Sequence, residues 1–235
     1  MAYTPHFIPV EAIRLLVFDL DGTLIDSRRD LVNSVNAMLD QVGRPELPED
    51  VIASYIGNGA EMLVRRALGN PDDDGFVEQS LDYFLDYYRE HKLDYTQVYS
   101  GVLESLEALR QGPDGFPRQM AVLTNKPVRP SEAICEALGL SPYFFRIYGG
   151  NSFATKKPDP EGLKALIAES GADPFETVMI GDSEIDVQTA RSAGAWAVGC
   201  RFGLTPKTLD AAEPDCLVDS AWDWTEALDA AKIGS

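Results

Sequence analysis

The chain has 235 residues, enough for one large domain or for a core with a smaller companion. Its 45% hydrophobic and 25% charged residues are those of an ordinary globular protein. A formal charge of -18 argues against nucleic acid or an anionic membrane as partner, because both demand basic surface.

No apolar run reaches the roughly 20 residues of a membrane span. The stretch before Arg14, with Pro5, His6, Pro9 and Glu11, lacks the layout of a secretory signal, so none is expected. The first predicted element is a strand over Arg14–Leu20, a continuous apolar run of the kind buried on both faces. From about Arg28 to Tyr99 the pattern changes to amphipathic helices with no convincing strand. Leu31, Val35, Met38 and Leu39 recur at helical spacing, as do Val77, Leu81, Phe84 and Tyr88. Ser27 followed by Asp30 reads as a capping box, and Pro71–Gly75 as a solvated inter-helix loop.

Four further strands are predicted at Gln119–Asn125, Phe144–Gly150, Thr177–Asp182 and Ala195–Arg201. Between the later ones lie helices over Ser131–Gly139, Glu161–Gly171 and Ile185–Gly194, each closing on a glycine. Strand, helix and strand at this spacing predict an α/β protein with a Rossmann-like parallel-sheet core. The expected division is a core of residues 1–27 and 100–235 with an inserted all-helical cap at 28–99.

Several chemistries are excluded by what the chain lacks. The two histidines, His6 and His91, cannot support a histidine triad or a histidine metal site. The usual glycine-rich nucleotide loops are absent. Cys135, Cys200 and Cys216 are an odd number without close pairing, which fits buried thiols in a reducing cytoplasm. Catalysis is left to carboxylates, hydroxyls and lysines.

Such residues stand in four motifs at predicted strand ends: Asp19-Leu20-Asp21-Gly22-Thr23, Thr124-Asn125-Lys126, Lys157-Pro158, and Gly181-Asp182-Ser183 with Asp186. Ligands of a doubly wound sheet gather at those ends, so the four can converge. Singly, each has a structural reading: Asp19 as a helix cap, Thr124-Asn125 as a turn, Lys157 as a surface residue, Asp186 as a first-turn carboxylate favoured by the helix dipole. Together they suit phosphoryl transfer. A carboxylate, Asp19, can attack phosphorus if a divalent cation relieves the repulsion between the two anions. Asp19 and Asp182 can supply oxygen ligands to magnesium, with Asp186 on a metal-bound water. Asp21, two residues on, suits a general acid and base, Thr124 can donate to a phosphoryl oxygen, and Lys157 can neutralise charge. Gly22 lets the backbone approach the phosphate, and Asn125 is a further candidate substrate contact.

These motifs resemble the haloacid dehalogenase superfamily, over nearly the whole chain from about Ile13 to Val218. Within it the likeness is to phosphoglycolate phosphatases, carried by Asp19–Ser27 (DLDGTLIDS), Tyr55–Ala60 (YIGNGA), Arg65-Arg66-Ala67-Leu68, Leu123–Pro127 (LTNKP), Gly149-Gly150 and Lys156–Pro160 (KKPDP). The resemblance implies an Asp19 nucleophile, an Asp21 acid and base, Thr124 and Lys157 on the phosphate, and magnesium ligands from Asp19, the Asp21 main-chain carbonyl and Asp182. It also implies that Gly57-Asn58-Gly59 inspects the leaving group, and makes Arg65 a candidate for a substrate carboxylate. Each has a plainer alternative, a helix–helix turn and a solvent-facing arginine.

The expected activity is hydrolysis of a small phosphorylated metabolite, 2-phosphoglycolate foremost, by a monomer or homodimer. Sugar-phosphate phosphatase, pyrophosphatase and phosphomutase are the alternatives, since the cap decides among them. A phospho-accepting signalling module is a weaker alternative, because such modules resemble a shorter chain without an inserted segment.

Overall fold

The computed structural model describes residues 8–228, so the readings of Pro5 and His6 lie outside the described residues. In chain order the elements are β1 (Leu15–Phe18), β2 (Ile25–Asp26), α1 (Arg28–Gln41), α2 (Glu49–Ala53), α3 (Ala60–Ala67), α4 (Asp74–His91), β3 (Gln97–Val98), α5 (Val102–Ala108), β4 (Gln119–Leu123) and α6 (Val128–Ala137). They continue with β5 (Arg146–Tyr148), α7 (Glu161–Ser170), β6 (Thr177–Gly181), α8 (Glu184–Ala193), β7 (Trp196–Cys200), α9 (Leu209–Ala212), β8 (Cys216–Val218) and α10 (Asp223–Leu228).

Six strands form one sheet in the order β5-β4-β1-β6-β7-β8, every neighbouring pair parallel. The continuous apolar runs follow from this arrangement. Successive side chains of a strand leave on opposite faces, and here both faces are covered. Leu16, Phe18, Val122 and Ile180 join the cluster that includes Val102 and Leu106 of α5, Ile134 of α6 and Trp224 of α10. Leu15, Val17, Ala121 and Met179 join the opposite cluster, with Leu163 of α7, Val187 of α8 and Leu209 of α9. Two of the predicted helix stops hold as drawn: α7 ends at Gly171 and α8 at Gly194, both in the left-handed conformation that glycine adopts without steric cost.

β1 sits centrally, and the chain leaves it first toward β4 and β5, then crosses back to β6, β7 and β8. This reversal is the topological switch point, where loops at the carboxyl ends of β1, β4 and β6 must part and leave a crevice.

Helices α1 to α4 bury a third cluster of their own, including Leu31, Val35, Met38, Ile52, Leu63, Val64, Val77 and Phe84. Contrary to the helix-only reading of residues 28–99, β3 falls inside this segment. It pairs antiparallel with β2, Ile25 facing Val98 and Asp26 facing Gln97. The two crossings between core and inserted helices are therefore joined as a short ladder. The capping box expected at Ser27 does not form. The Ser27 hydroxyl donates instead to Asp21 Oδ1 at 2.6 Å. Asp30, buried on α1, accepts from the Tyr95 amide at 3.1 Å, the Thr96 amide at 2.8 Å and the Thr96 hydroxyl at 2.7 Å. A long-range demand for an acceptor outweighed the local cap. Nor is Pro71–Gly75 a plain loop, since Asp73 accepts from the Phe76 amide at 3.0 Å and α4 begins at Asp74.

Asp30→Ala removes the acceptor for these donors and is expected to destabilise the protein by about 3 kcal/mol, read as a lowered urea midpoint. An unchanged midpoint would show that water replaces the carboxylate at no cost.

Candidate active site

The connections after β1, β4, β5 and β6 bring the predicted motifs together. Asp19 follows β1, its amide bonded to the Ile180 carbonyl of β6 at 2.8 Å, and its side chain is nearly buried. Lys157 Nζ lies 2.8 Å from Asp19 Oδ1 and 2.6 Å from Asp186 Oδ1. The contact with Asp19 is an ion pair without an aligned hydrogen bond, which leaves Asp19 Oδ1 a buried acceptor unsatisfied among the described residues. Asp186 Oδ2 accepts from the Ser183 amide at 3.2 Å and hydroxyl at 2.7 Å. Asp182 Oδ2 accepts from the Leu204 amide at 2.6 Å and the Thr205 amide at 3.0 Å.

Asp19, Asp182 and Asp186 form a buried acidic group with one oxygen from each within 4.8 Å of the others. Their environment opposes ionisation. Burial pushes the Asp19 pKa up to about 6, the nearby Lys157 ammonium lowering it and Asp186 adding to the rise. Burial, then the charges of Asp186 and Asp19, push Asp182 up to about 8. Burial works against the charge of Lys157, but Asp186 and Asp19 outweigh it and raise its pKa. An oxygen donor set with an unsatisfied buried oxygen and carboxylates held against their mutual repulsion fits a hard divalent cation. Asp186 is the least available of the three, because both of its oxygens are engaged.

Asp21 lines the same cavity as Asp19. Its carboxylate accepts from Ser27 and, through both oxygens, from Lys126 Nζ at 3.0 and 2.9 Å. Gly22 holds φ +88°, and a Cβ there would overlap the Asp182 carboxylate, so glycine is required for two separate reasons. Thr124 is buried, lines the same cavity, and accepts from the Lys126 amide at 3.2 Å. Asn125 Nδ2 donates to the Gly57 carbonyl at 2.9 Å and the Lys157 carbonyl at 3.0 Å, tying the inserted helices to the core.

The cavity between core and inserted helices has about 60 Å³ of water-accessible space. Asp19, Asp21, Gly57, Gly59, Thr124, Asn125 and Lys126 line it, together with Leu31, Leu63, Phe84 and Tyr88. Two expected contacts are not brought here. The Asn58 side chain turns away to accept from Arg66 at 2.7 Å. Arg65 is held at the surface by Asp74 at 2.7 Å and does not line the cavity. Asp74, the first residue of α4, captured it, with Glu61 of α3 at 3.7 Å. Sequence reasoning also passed over Ser27, Tyr88, the amides of Leu204 and Thr205, and Lys126. Lys126 alone had a visible signal, its place inside the Thr-Asn-Lys motif.

Residues 16–200 match the family model of haloacid dehalogenase-like hydrolases. The chain belongs to that family. It is 41% identical over 214 residues to a phosphoglycolate phosphatase of Pseudomonas putida, covering 88% of this chain and 76% of the relative. With a phosphoglycolate phosphatase of Neisseria meningitidis it shares 37% over 231 residues, 95% of this chain and 97% of the relative. The crystal structure of a predicted phosphoglycolate phosphatase from Haemophilus somnus superposes with a TM-score of 0.84 at 32% identity, covering 92% of this chain and 97% of that one. The chain is thus an enzyme, a hydrolase of the phosphatase kind.

Gly22→Ala is expected to lower kcat at least about 100-fold, because the added methyl displaces Asp182 and strains the backbone. Near-normal turnover would mean that the Asp182 position is immaterial.

Proposed function

We propose that the chain hydrolyses small phosphomonoesters with magnesium, 2-phosphoglycolate foremost, through an aspartyl-phosphate on Asp19. The observation that carries this reading is that Asp19, buried beside Lys157 and Asp182, lines one cavity together with Asp21. Asp19 attacks phosphorus as the ester P–O bond breaks, and Asp21 gives its proton to the leaving oxygen. Asp21 then takes a proton from water as that water attacks the phosphorus and the bond to Asp19 breaks. Thr124 and Lys157 hold phosphoryl oxygens, and Gly22 admits the backbone close to them. Asp19, Asp182 and the Asp21 main-chain carbonyl would hold magnesium, which would supply the charge neutralisation that lets one anion approach another. Asp186 keeps Lys157 and Ser183 in place beside it.

The substrate assignment draws on the names of the relatives and on the cavity. Its lining is largely apolar beyond Asp19, Asp21, Thr124, Asn125 and Lys126, and offers few partners for the several hydroxyls of a sugar ring. Residues 28–99 act as the cap domain over a core of 1–27 and 100–235. Its Gly57 and Gly59 line the cavity, and the Gly57 carbonyl accepts from Asn125. Cys135, Cys200 and Cys216 are free thiols, in keeping with the cytoplasm as the working compartment. No described helix is long and apolar enough to cross a membrane.

A phosphomonoester panel with magnesium is expected to show release from 2-phosphoglycolate at least about 10-fold faster than from sugar phosphates, and Asp19→Asn is expected to abolish release. No release from any ester would overturn the reading, as would full activity of Asp19→Asn.

Metal binding has its own pH signature. The folded pKa of Asp182, about 8, stands above the ordinary carboxylate value. The metal-free protein therefore loses stability as pH rises from about 4 through 8, where the unfolded chain has given up a proton that the folded one retains. A cation competes with that proton. Magnesium is expected to raise Tm more at pH 8 than at pH 6, and an equal rise at both would count against Asp182 as a ligand.

A further inference from the structure

We propose that Lys126 of the core and Tyr88 of helix α4 together bind a carboxylate on the leaving group, so that the site selects phosphate esters of short 2-hydroxy acids. This rests on the phosphomonoesterase reading above and adds the chemical basis of its selectivity.

Among the described residues lining the cavity, Lys126 alone is cationic. Its side chain is 5% exposed, and two of the three ammonium hydrogens go to Asp21. Nζ also stands 4.6 Å from the centre of the Tyr88 ring. Tyr88 is buried, and its hydroxyl has no aligned hydrogen-bond partner among the described residues. Burial first of all pushes the Tyr88 pKa up to about 12, so at neutral pH the hydroxyl is a donor. The third ammonium hydrogen interacts with the Tyr88 phenol without an aligned hydrogen bond, so the pair can turn a charge-assisted bond and a neutral one to the same small anion.

The placement suits a carboxylate one carbon away from the ester oxygen. Asp21 must lie within hydrogen-bond reach of the leaving oxygen to protonate it. Lys126 Nζ lies 2.9 Å from Asp21 Oδ2, so it stands within roughly two hydrogen-bond lengths, about 6 Å, of that oxygen. A carboxylate on the adjacent carbon falls in this range. Much of the remaining lining is apolar, with Leu31, Ile56, Leu63, Phe84 and Leu85, and Thr124 and Asn125 leave few partners for the several hydroxyls of a sugar.

The test compares kcat/KM for 2-phosphoglycolate and for ethyl phosphate, which carries a methyl group where the first has its carboxylate. The wild-type ratio is expected to favour phosphoglycolate by about 100-fold, the worth of a buried charge-assisted hydrogen bond. Lys126→Met should collapse that preference, Lys126→Arg should keep part of it, and Tyr88→Phe should reduce it about 10-fold. An equal fall for both esters would overturn the proposal, because Lys126 would then act only by holding Asp21. Calorimetric binding to wild type and Tyr88→Phe supplies a readout independent of turnover. 3-Phosphonopropionate should bind more tightly than propylphosphonate to wild type, and by a smaller margin to the variant. Equal affinities for wild type would overturn the carboxylate site. If wild type cleaves neither ester, the phosphatase reading itself fails. If it cleaves both equally well, only the carboxylate proposal fails.

Discussion

Repulsion among Asp19, Asp182 and Asp186, answered within the described residues by the ammonium of Lys157, is the constraint around which the rest of this molecule is arranged. Three carboxylates so close together cost stability in any protein, and more in one whose net charge is already -18. The sheet meets that cost by carrying two of them directly on strand ends, where neighbouring strands fix the backbone. Amides of Leu204 and Thr205, the hydroxyl of Ser183 and the ammonium of Lys157 then take up part of the charge. Asp19 Oδ1 keeps only the ion pair with Lys157 and no aligned hydrogen bond. Carboxylates held against their mutual repulsion in this way fit a hard cation.

The core was legible from the sequence for a physical reason. A parallel sheet covered on both faces writes its strands as unbroken apolar runs, so Arg14–Leu20, Gln119–Asn125 and Thr177–Asp182 announce themselves. Short elements at the margins left no such trace. β8 and α10 span three and six residues, and α5 seven, too few for a period to emerge. The buried indole of Trp224, packed against Phe18 with ring centres 5.3 Å apart, was visible only as an aromatic residue awaiting a place.

The acidic motifs were legible for a different reason, since their residues are close to one another within short stretches of chain. Contacts between distant stretches were not. Ser27 and Asp30 have the spacing of a helix cap, yet each side chain was taken by a partner that spacing does not reveal, Asp21 for one and Thr96 for the other. Arg65 looked available until Asp74 claimed it across the turn. Lys126 and Tyr88 meet only because α4 folds over the end of β4. Helical periodicity registered Tyr88 as one more apolar residue of an amphipathic face and had no means of showing that its hydroxyl would be left unpaired.

The short ladder between β2 and β3 carries a consequence of its own. Because Ile25 and Asp26 are paired with Val98 and Gln97, the chain leaves the core and returns to it through a single joint rather than two. Everything between those residues is attached like a leaf on one stem. Helices in the leaf can lengthen, shorten or be exchanged over evolutionary time while the stem presents the same two-residue footprint to the strands beneath. A fold with that attachment can inherit its reaction from one part of the chain and acquire its diet from another.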